Sequence, residues 1–167
     1  MTTSDNMTLI MQEINLTFGF VPNLFTAYKK HPALLEANWN KVKAVLLSGN
    51  VKRKTKEMIA LLVSVDNNCG YCVAAHIAAL KSMKIEETQI DALLLGLFPV
   101  DCTPTDIALI QFSRKVNQYW RDMQEADLIA LRQLDISDAE ILEVIGVVEL
   151  FAGFNRFART MQIQMDF

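Results

Sequence analysis

Apolar residues recur at spacings of three and four along almost the whole chain, and no long stretch alternates with a period of two. Because such spacing places apolar side chains on one face of an α-helix, the pattern predicts an all-α protein. Gly and Pro are few and fall mostly between the periodic segments. The predicted helices cover about 5–16, 24–30, 33–48, 54–66, 69–83, 86–95, 103–119, 124–133 and 137–161.

Two helix starts carry explicit capping signals. Thr103 offers a hydroxyl cap, followed by Pro at the first helical position and an acid in the first turn. The run from Ser137 to Glu140 fits a capping box and opens the last long helical stretch. We expect a break in that stretch near Ala152 and Gly153.

A shift of 83 positions lays residues 56–76 over residues 139–159 with matching apolar pattern and a few identities, including Glu57 with Glu140 and Gly70 with Gly153. This indicates two weakly similar helix-break-helix halves. The second half has Ala152, Asn155 and Arg159 at the positions of Cys69, Cys72 and His76 in the first. We therefore expect chemistry in the first half only, with the second half kept for packing.

The chain length of 167 residues and the 51% share of apolar residues predict a single globular domain over residues 1–167. A net charge of -3 provides no basic field for nucleic acid. The first residues lack the basic region of a signal peptide, and no apolar run reaches the roughly 18 residues of a spanning helix. The sequence thus favours a soluble, cytoplasmic protein without nucleic-acid or membrane partners.

The stretch "NNCGYCVAAH" places two thiols and an imidazole within eight residues. In a C-x-x-C at a helix N-terminus, free backbone N–H groups stabilise a thiolate. His76 lies four residues after Cys72, so a helix places both on one face. Glu57 lies twelve residues before Cys69. If the chain reverses at "DNNCG", its carboxylate returns to the same place, and Glu57, His76 and a thiol would then form a proton relay.

Other interpretations of this stretch stay open from the residues alone. The cysteines can be buried core residues, or they can bind zinc together with His76, although no second C-x-x-C follows. Covalent haem requires a His where Val73 stands, and a thioredoxin fold requires strands. A dithiol redox site in a helical frame is therefore favoured. Among the other candidates, Tyr71 fits packing, Cys102 a bystander thiol and His31 a helix end.

The pattern Glu57-x11-Cys69-x2-Cys72-x3-His76 resembles the signature of alkylhydroperoxidase D-like (AhpD-like) proteins in the carboxymuconolactone decarboxylase superfamily. The stretches "GFVPNLFTAYKKHPALLEANW" and "TKEMIALLVSVDNNCGYCVAAH" resemble its peroxidase-related branch. The resemblance implies a single AhpD-like helical domain, homo-oligomers that are trimers or hexamers, and thiol-dependent reduction of alkyl or hydrogen peroxide.

By motif, the resemblance implies that Cys72 is the attacking thiolate, which becomes a sulfenic acid, and that Cys69 is the resolving thiol, which condenses with it to a disulfide. Glu57 and His76 would relay the proton. A lipoyl group or another dithiol, or a thioredoxin-like donor, would reopen the bridge, and neither a bound cofactor nor a metal is implied. One position differs from the pattern of the family: Tyr71 occupies the place where the best-characterised branch has a His that assists the relay.

Two further functions remain as alternatives. The first is a non-redox lactone decarboxylase or hydrolase of the same superfamily, with His76 and Glu57 as acid and base. The second is a redox- or zinc-responsive helical oligomer without enzymatic activity. Eight Met, nine Phe and the run "VIGVVELFAGFNRF" also favour an oligomer, because they are more than a chain of this size readily buries.

Overall fold

A computed structural model describes residues 3–166 of the chain, and in that part every regular element is helical. The predicted all-α class is therefore confirmed. The α-helices are α1 (Thr3–Phe18), α2 (Asn23–Tyr28), α3 (Pro32–Val42), α4 (Arg53–Asp66), α5 (Gly70–Ser82), α6 (Glu87–Leu94), α7 (Pro104–Gln118), α8 (Glu125–Arg132) and α9 (Asp138–Thr160). None of these helices is long and apolar enough to cross a membrane.

Helix α4 is the centre of the fold. It is buried without interruption from Thr55 to Ser64, and α5, α7 and α9 pack around it. A helix that is buried all round has no face for solvent, so its neighbours must cover every side. The buried apolar side chains of these helices join those of α1 to α3 in one contiguous core.

A tight turn joins α4 to α5 and positions the C-x-x-C pair. Asn68 has a φ of 54°, in the left-handed region that Asn tolerates better than most residues. The N–H of Cys69 then donates to the carbonyl of Ser64 at 2.9 Å. The two helices run antiparallel as a result, with Cys69 as the residue that precedes the first turn of α5.

The capping signals at Thr103 and Ser137 are confirmed as capping boxes at the starts of α7 and α9. The break expected near Ala152 and Gly153 is wrong, because α9 continues through both residues to Thr160. A Gly inside a helix costs only about 1 kcal/mol relative to Ala, and the buried side chains around it, such as Phe154, outweigh that cost. The second half of the chain thus has one long helix where the first half has a hairpin.

The helix predicted over about 33–48 also differs in its last part. After α3 the chain widens into a π-helical turn, Lys43–Leu47, before Ser48 ends it. The hydroxyl of Ser48 donates to the carbonyl groups of Lys43 at 2.7 Å and Ala44 at 3.0 Å. This turn adjoins the cavity described below, because Val42 and Leu46 both line it.

Candidate active site

The two cysteines of the C-x-x-C lie together at the start of α5. Their Sγ atoms are 2.6 Å apart, both are free thiols, and both side chains are buried. Spacing of three residues at a helix N-terminus brings both sulfurs to the same side of the first turn. Little movement separates this arrangement from the distance of a disulfide bond.

The pair is arranged to lose one proton readily and to keep the other. The hydrogen bond from Cys72 is the main cause that lowers the pKa of Cys69 to about 6; burial opposes it, and the Cys72 backbone N–H, Arg159 and His76 add to it. The same hydrogen bond, followed by burial, raises the pKa of Cys72. The thiol pair therefore favours a single negative charge, shared across one remaining proton.

Glu57 and His76 form a buried pair beside the thiols. Oε2 of Glu57 lies 2.7 Å from Nδ1 of His76, and Oε1 accepts from Nε of Arg53 at 2.9 Å and from its Nη2 at 2.5 Å. Burial alone raises the pKa of Glu57, but the hydrogen bonds and charges of His76 and Arg53 outweigh it and leave the pKa below its ordinary value. Glu57 is therefore a buried carboxylate.

An ionised carboxylate can only accept hydrogen bonds, which fixes the tautomer of His76. Its Nδ1 carries the proton that faces Glu57, so Nε2 of the neutral ring is left as an acceptor. Phe151 holds the ring edge-to-face, with centroids 4.4 Å apart. His76 is thus oriented from two sides, as a proton-transfer group requires.

A cavity of about 450 Å³ opens onto this cluster. Glu57, Arg53 and His76 line it, and of the two C-x-x-C cysteines Cys72 does so as well. The remaining wall is mostly apolar and aromatic, and includes Phe18, Phe20, Leu24, Phe25, Leu46, Met83, Phe151 and Phe154. Such a pocket has the size and lining to take a small apolar molecule next to the Cys72 sulfur.

Tyr71 takes no part in the Glu57–His76 pair. Its hydroxyl donates to Oδ2 of Asp166 at 2.6 Å and accepts from the backbone N–H of Leu24 at 3.2 Å. Oδ1 of Asp166 in turn accepts from the N–H of Asn23 at 2.7 Å. Burial, and then the bond to Asp166, raise the pKa of Tyr71. Tyr71 therefore ties α2 and the C-terminal segment to the start of α5.

Helix α9 also contributes to the cluster, so the expectation that the second half serves packing only is incomplete. Asn155 is buried; its Oδ1 accepts from Asn67 at 2.9 Å and its amide donates to Ser64 at 3.0 Å. The guanidinium of Arg159 donates to the carbonyl of Asn68. The shift of 83 positions had aligned these two residues with Cys72 and His76, and this alignment was a usable signal for their location.

Arg53 and Asp166 were also missed by the sequence reasoning. Arg53 lies four residues before Glu57 on α4, and the i, i+4 spacing of opposite charges was a signal for their ion pair. Asp166 gave no signal, because its partners lie 95 and 143 residues away.

The remaining candidates lie elsewhere. Cys102 has its sulfur 4.0 Å from that of Met58, and burial raises its pKa. His31 caps α3, where its Nδ1 accepts from the N–H of Leu34 at 3.3 Å. Within residues 3–166, no group of three or more His, Cys, Asp or Glu side chains is arranged to hold a metal ion.

The hairpin and its cluster define a class of all-α proteins in which a dithiol lies at the start of the second helix, facing a carboxylate from the first. Residues 32–114 match the model of the Carboxymuconolactone decarboxylase family. This segment is a domain of that family, and the fold of the chain is AhpD-like.

Two solved structures resemble the chain over nearly its whole length. A peroxidase-related protein from Ralstonia eutropha JMP134, with an alkylhydroperoxidase AhpD core, is 28% identical with a TM-score of 0.86, over 97% of this chain and 86% of that one. A peroxidase-related protein from Silicibacter sp. TM1040 is 25% identical with a TM-score of 0.85, over 96% and 84%.

An alkyl hydroperoxide reductase of Mycobacterium tuberculosis is 30% identical over 95 residues. The aligned region spans 57% of this chain and 27% of that relative.

Proposed function

We propose that this protein is a thiol-dependent peroxidase that reduces alkyl or hydrogen peroxide through a dithiol–disulfide cycle of Cys69 and Cys72. The observation that carries the proposal is the pair of free thiols, with sulfurs 2.6 Å apart, beside the Glu57–His76 pair. The names of the relatives, a reductase of alkyl hydroperoxide and two peroxidase-related proteins, support the same chemistry.

In the proposed first step, the thiol pair transfers one proton to Nε2 of His76, and the resulting imidazolium is stabilised by Glu57. The remaining proton moves to Cys69 as peroxide enters, because Cys72 is the sulfur that lines the cavity. The Cys72 thiolate attacks one peroxide oxygen and the O–O bond breaks. The departing alkoxide or hydroxide takes the proton from His76, which leaves Cys72 as a sulfenic acid.

In the second step, the Cys69 sulfur attacks the Cys72 sulfenic acid. The S–O bond breaks, the S–S bond forms, and the hydroxyl leaves as water with the thiol proton. The sum is two thiols and one peroxide converted to one disulfide, one alcohol and one water. An external dithiol, such as a lipoyl group or a thioredoxin-like protein, then reduces the disulfide by exchange and is itself oxidised.

The test is a titration of the reduced protein with cumene hydroperoxide, followed by alkylation and mass spectrometry. We expect a Cys69–Cys72 disulfide and a free Cys102. Cys72→Ser should consume no peroxide, whereas Cys69→Ser should consume one equivalent and stop at a sulfenic acid that dimedone traps. Cys102→Ser is the matched control and should behave as wild type. Full peroxide turnover by Cys72→Ser, or no disulfide in the wild type, contradicts the proposal.

The Glu57–His76 pair facing an apolar cavity also favours a second candidate, a lyase or hydrolase that uses the pair as acid and base on a small lactone. A variant with Ser at both Cys69 and Cys72 separates the two functions. Lactone turnover that survives in this variant, together with absent peroxide turnover in the wild type, would establish the second candidate and overturn the first.

A further inference from the structure

Helix α9 forms hydrogen bonds with two consecutive residues, Asn67 and Asn68, of the turn that precedes Cys69. Asn155 accepts from the side chain of Asn67, and Arg159, one helical turn later on the same face, donates to the carbonyl of Asn68. That carbonyl belongs to the peptide that joins Asn68 to Cys69. The guanidinium therefore lies one peptide unit from the residue that carries the more acidic of the two thiols.

Among residues 3–166, no carboxylate forms an ion pair with Arg159. Arg53, Arg114 and Arg132, by contrast, each face a carboxylate. An uncompensated cation next to a buried sulfur favours the charged form of that sulfur.

We propose that Arg159 is a positioning residue for the dithiol, which holds the Asn68–Cys69 peptide from α9 and sets its charge beside the Cys69 sulfur so that the pair carries a thiolate. This role rests on the proposed use of the pair as a redox dithiol. Arg159 does not line the cavity; it acts through the turn and through its charge.

Other charged groups on the elements around the thiols have hydrogen-bonded partners of their own. His76 is bonded to Glu57, and Glu57 also to Arg53. Asp66 of α4 pairs with Arg114 of α7, and Asp166 of the C-terminal segment accepts a hydrogen bond from Tyr71. Arg159 differs from them because, in the part of the chain that the structure describes, its partner is a neutral carbonyl and not a carboxylate.

The experiment measures the lower thiol pKa of the pair by the pH dependence of thiolate absorbance and of iodoacetamide alkylation, in the Cys102→Ser background. The charge at position 159 is varied as Arg159→Lys, Arg159→Gln and Arg159→Glu. Arg156→Gln is the matched control, since Arg156 is exposed on the same helix three residues earlier. Circular dichroism checks that each variant is folded.

We expect Arg159→Gln to raise the lower thiol pKa by about 0.5 to 1 unit, as the loss of one charge at a partly exposed site does. Arg159→Glu should raise it by about twice as much. Arg159→Lys and Arg156→Gln should leave it within about 0.2 unit of the reference. A purely structural role of Arg159 would not order the variants by charge.

Equal pKa values for the Lys and Gln variants, or an equal shift in Arg156→Gln, overturn the inference. The titration needs no peroxide, so its result is independent of the proposed peroxidase activity. Ordered shifts in a protein that reduces no peroxide would support the role of Arg159 and reject the proposed function. A thiol pKa that is the same in all variants at position 159, in a protein that does reduce peroxide, would reject the role of Arg159 and support the proposed function.

Discussion

Replacing Glu57 by Gln removes one charge and one acceptor from the cluster while keeping its size. The carboxylate accepts three N–H bonds, one from His76 and two from Arg53. Gln has a single carbonyl oxygen. If this oxygen faces Arg53, the amide NH₂ faces Nδ1 of His76, which must then shift its proton to Nε2. If the oxygen faces His76, the NH₂ opposes the guanidinium and those bonds are lost.

Either orientation damages the proposed relay. In the first, Nε2 becomes a donor and can no longer take the thiol proton. In the second, His76 loses the charge that stabilises its imidazolium form. Loss of a positioned acid–base group typically lowers the rate by about 10²- to 10³-fold, which corresponds to about 3 to 4 kcal/mol of activation free energy. We expect kcat/KM for cumene hydroperoxide to fall by this factor.

Glu57→Gln should also change the free energy of unfolding in a pH-dependent way. Because the pKa of Glu57 is lowered in the folded state, its stabilising effect is complete above the ordinary pKa near 4.5 and is lost as the pH falls through the folded value. Glu57→Gln should therefore lower the free energy of unfolding by about 2 to 3 kcal/mol at pH 7, with a smaller difference in acid. Urea unfolding at both pH values measures this.

Glu149→Gln is the control, since Glu149 forms an exposed ion pair with Lys41. This variant should keep full activity and lie within about 0.5 kcal/mol of wild type. Peroxidase activity of Glu57→Gln above about a third of the wild-type value, in a folded protein, would refute the relay, because that loss is smaller than the weakest general acid–base effect.

Three further outcomes are expected. Tyr71→Phe, which loses its bonds to Asp166 and Leu24, should lower the free energy of unfolding by about 1 to 2 kcal/mol in urea and leave the pH profile of peroxide reduction unchanged; a shifted profile would place the phenol in the relay. Ala79→Leu narrows the cavity and should raise KM for cumene hydroperoxide several-fold but not for hydrogen peroxide, and equal changes would show that substrate does not occupy it. Burial acts to raise the pKa of Asp106, but hydrogen bonds from Thr103, Thr55 and Lys52 outweigh it and lower the pKa to about 2. Asp106→Asn should therefore lower the free energy of unfolding by about 2 kcal/mol at pH 7, and by progressively less as the pH falls below 3.8. Denaturant unfolding that shows the same difference between variant and wild type at pH 2 would contradict this.

The sequence predicted the hairpin that builds the site because its signals are local. The run of apolar residues before Asp66, the pair of Asn residues and the C-x-x-C fix two helices and the turn between them. An antiparallel hairpin of known turn position then places Glu57 opposite His76. Their catalytic roles stay predictions.

The contacts made by Tyr71, Asp166 and Arg159 were outside the reach of such reasoning. These contacts join residues 47 to 143 positions apart, and the pairing depends on how α2, α9 and the C-terminal segment dock on the hairpin. The error at Gly153 has a related cause. Helix propensity is a small local energy, and tertiary burial of α9 decides whether the helix continues.

The π-helical turn at Lys43–Leu47 makes the chain sensitive to length at that point. Consecutive residues of a helical turn are separated by roughly 100° of rotation, so the loss of one residue changes the direction of the side chains that follow it within the turn. After such a deletion the Leu46 side chain would no longer line the cavity, and the side chain of a neighbouring residue would point there instead. A point substitution at Leu46 changes the size of one side chain in the pocket, whereas a single-residue deletion in the turn changes which residue faces the pocket.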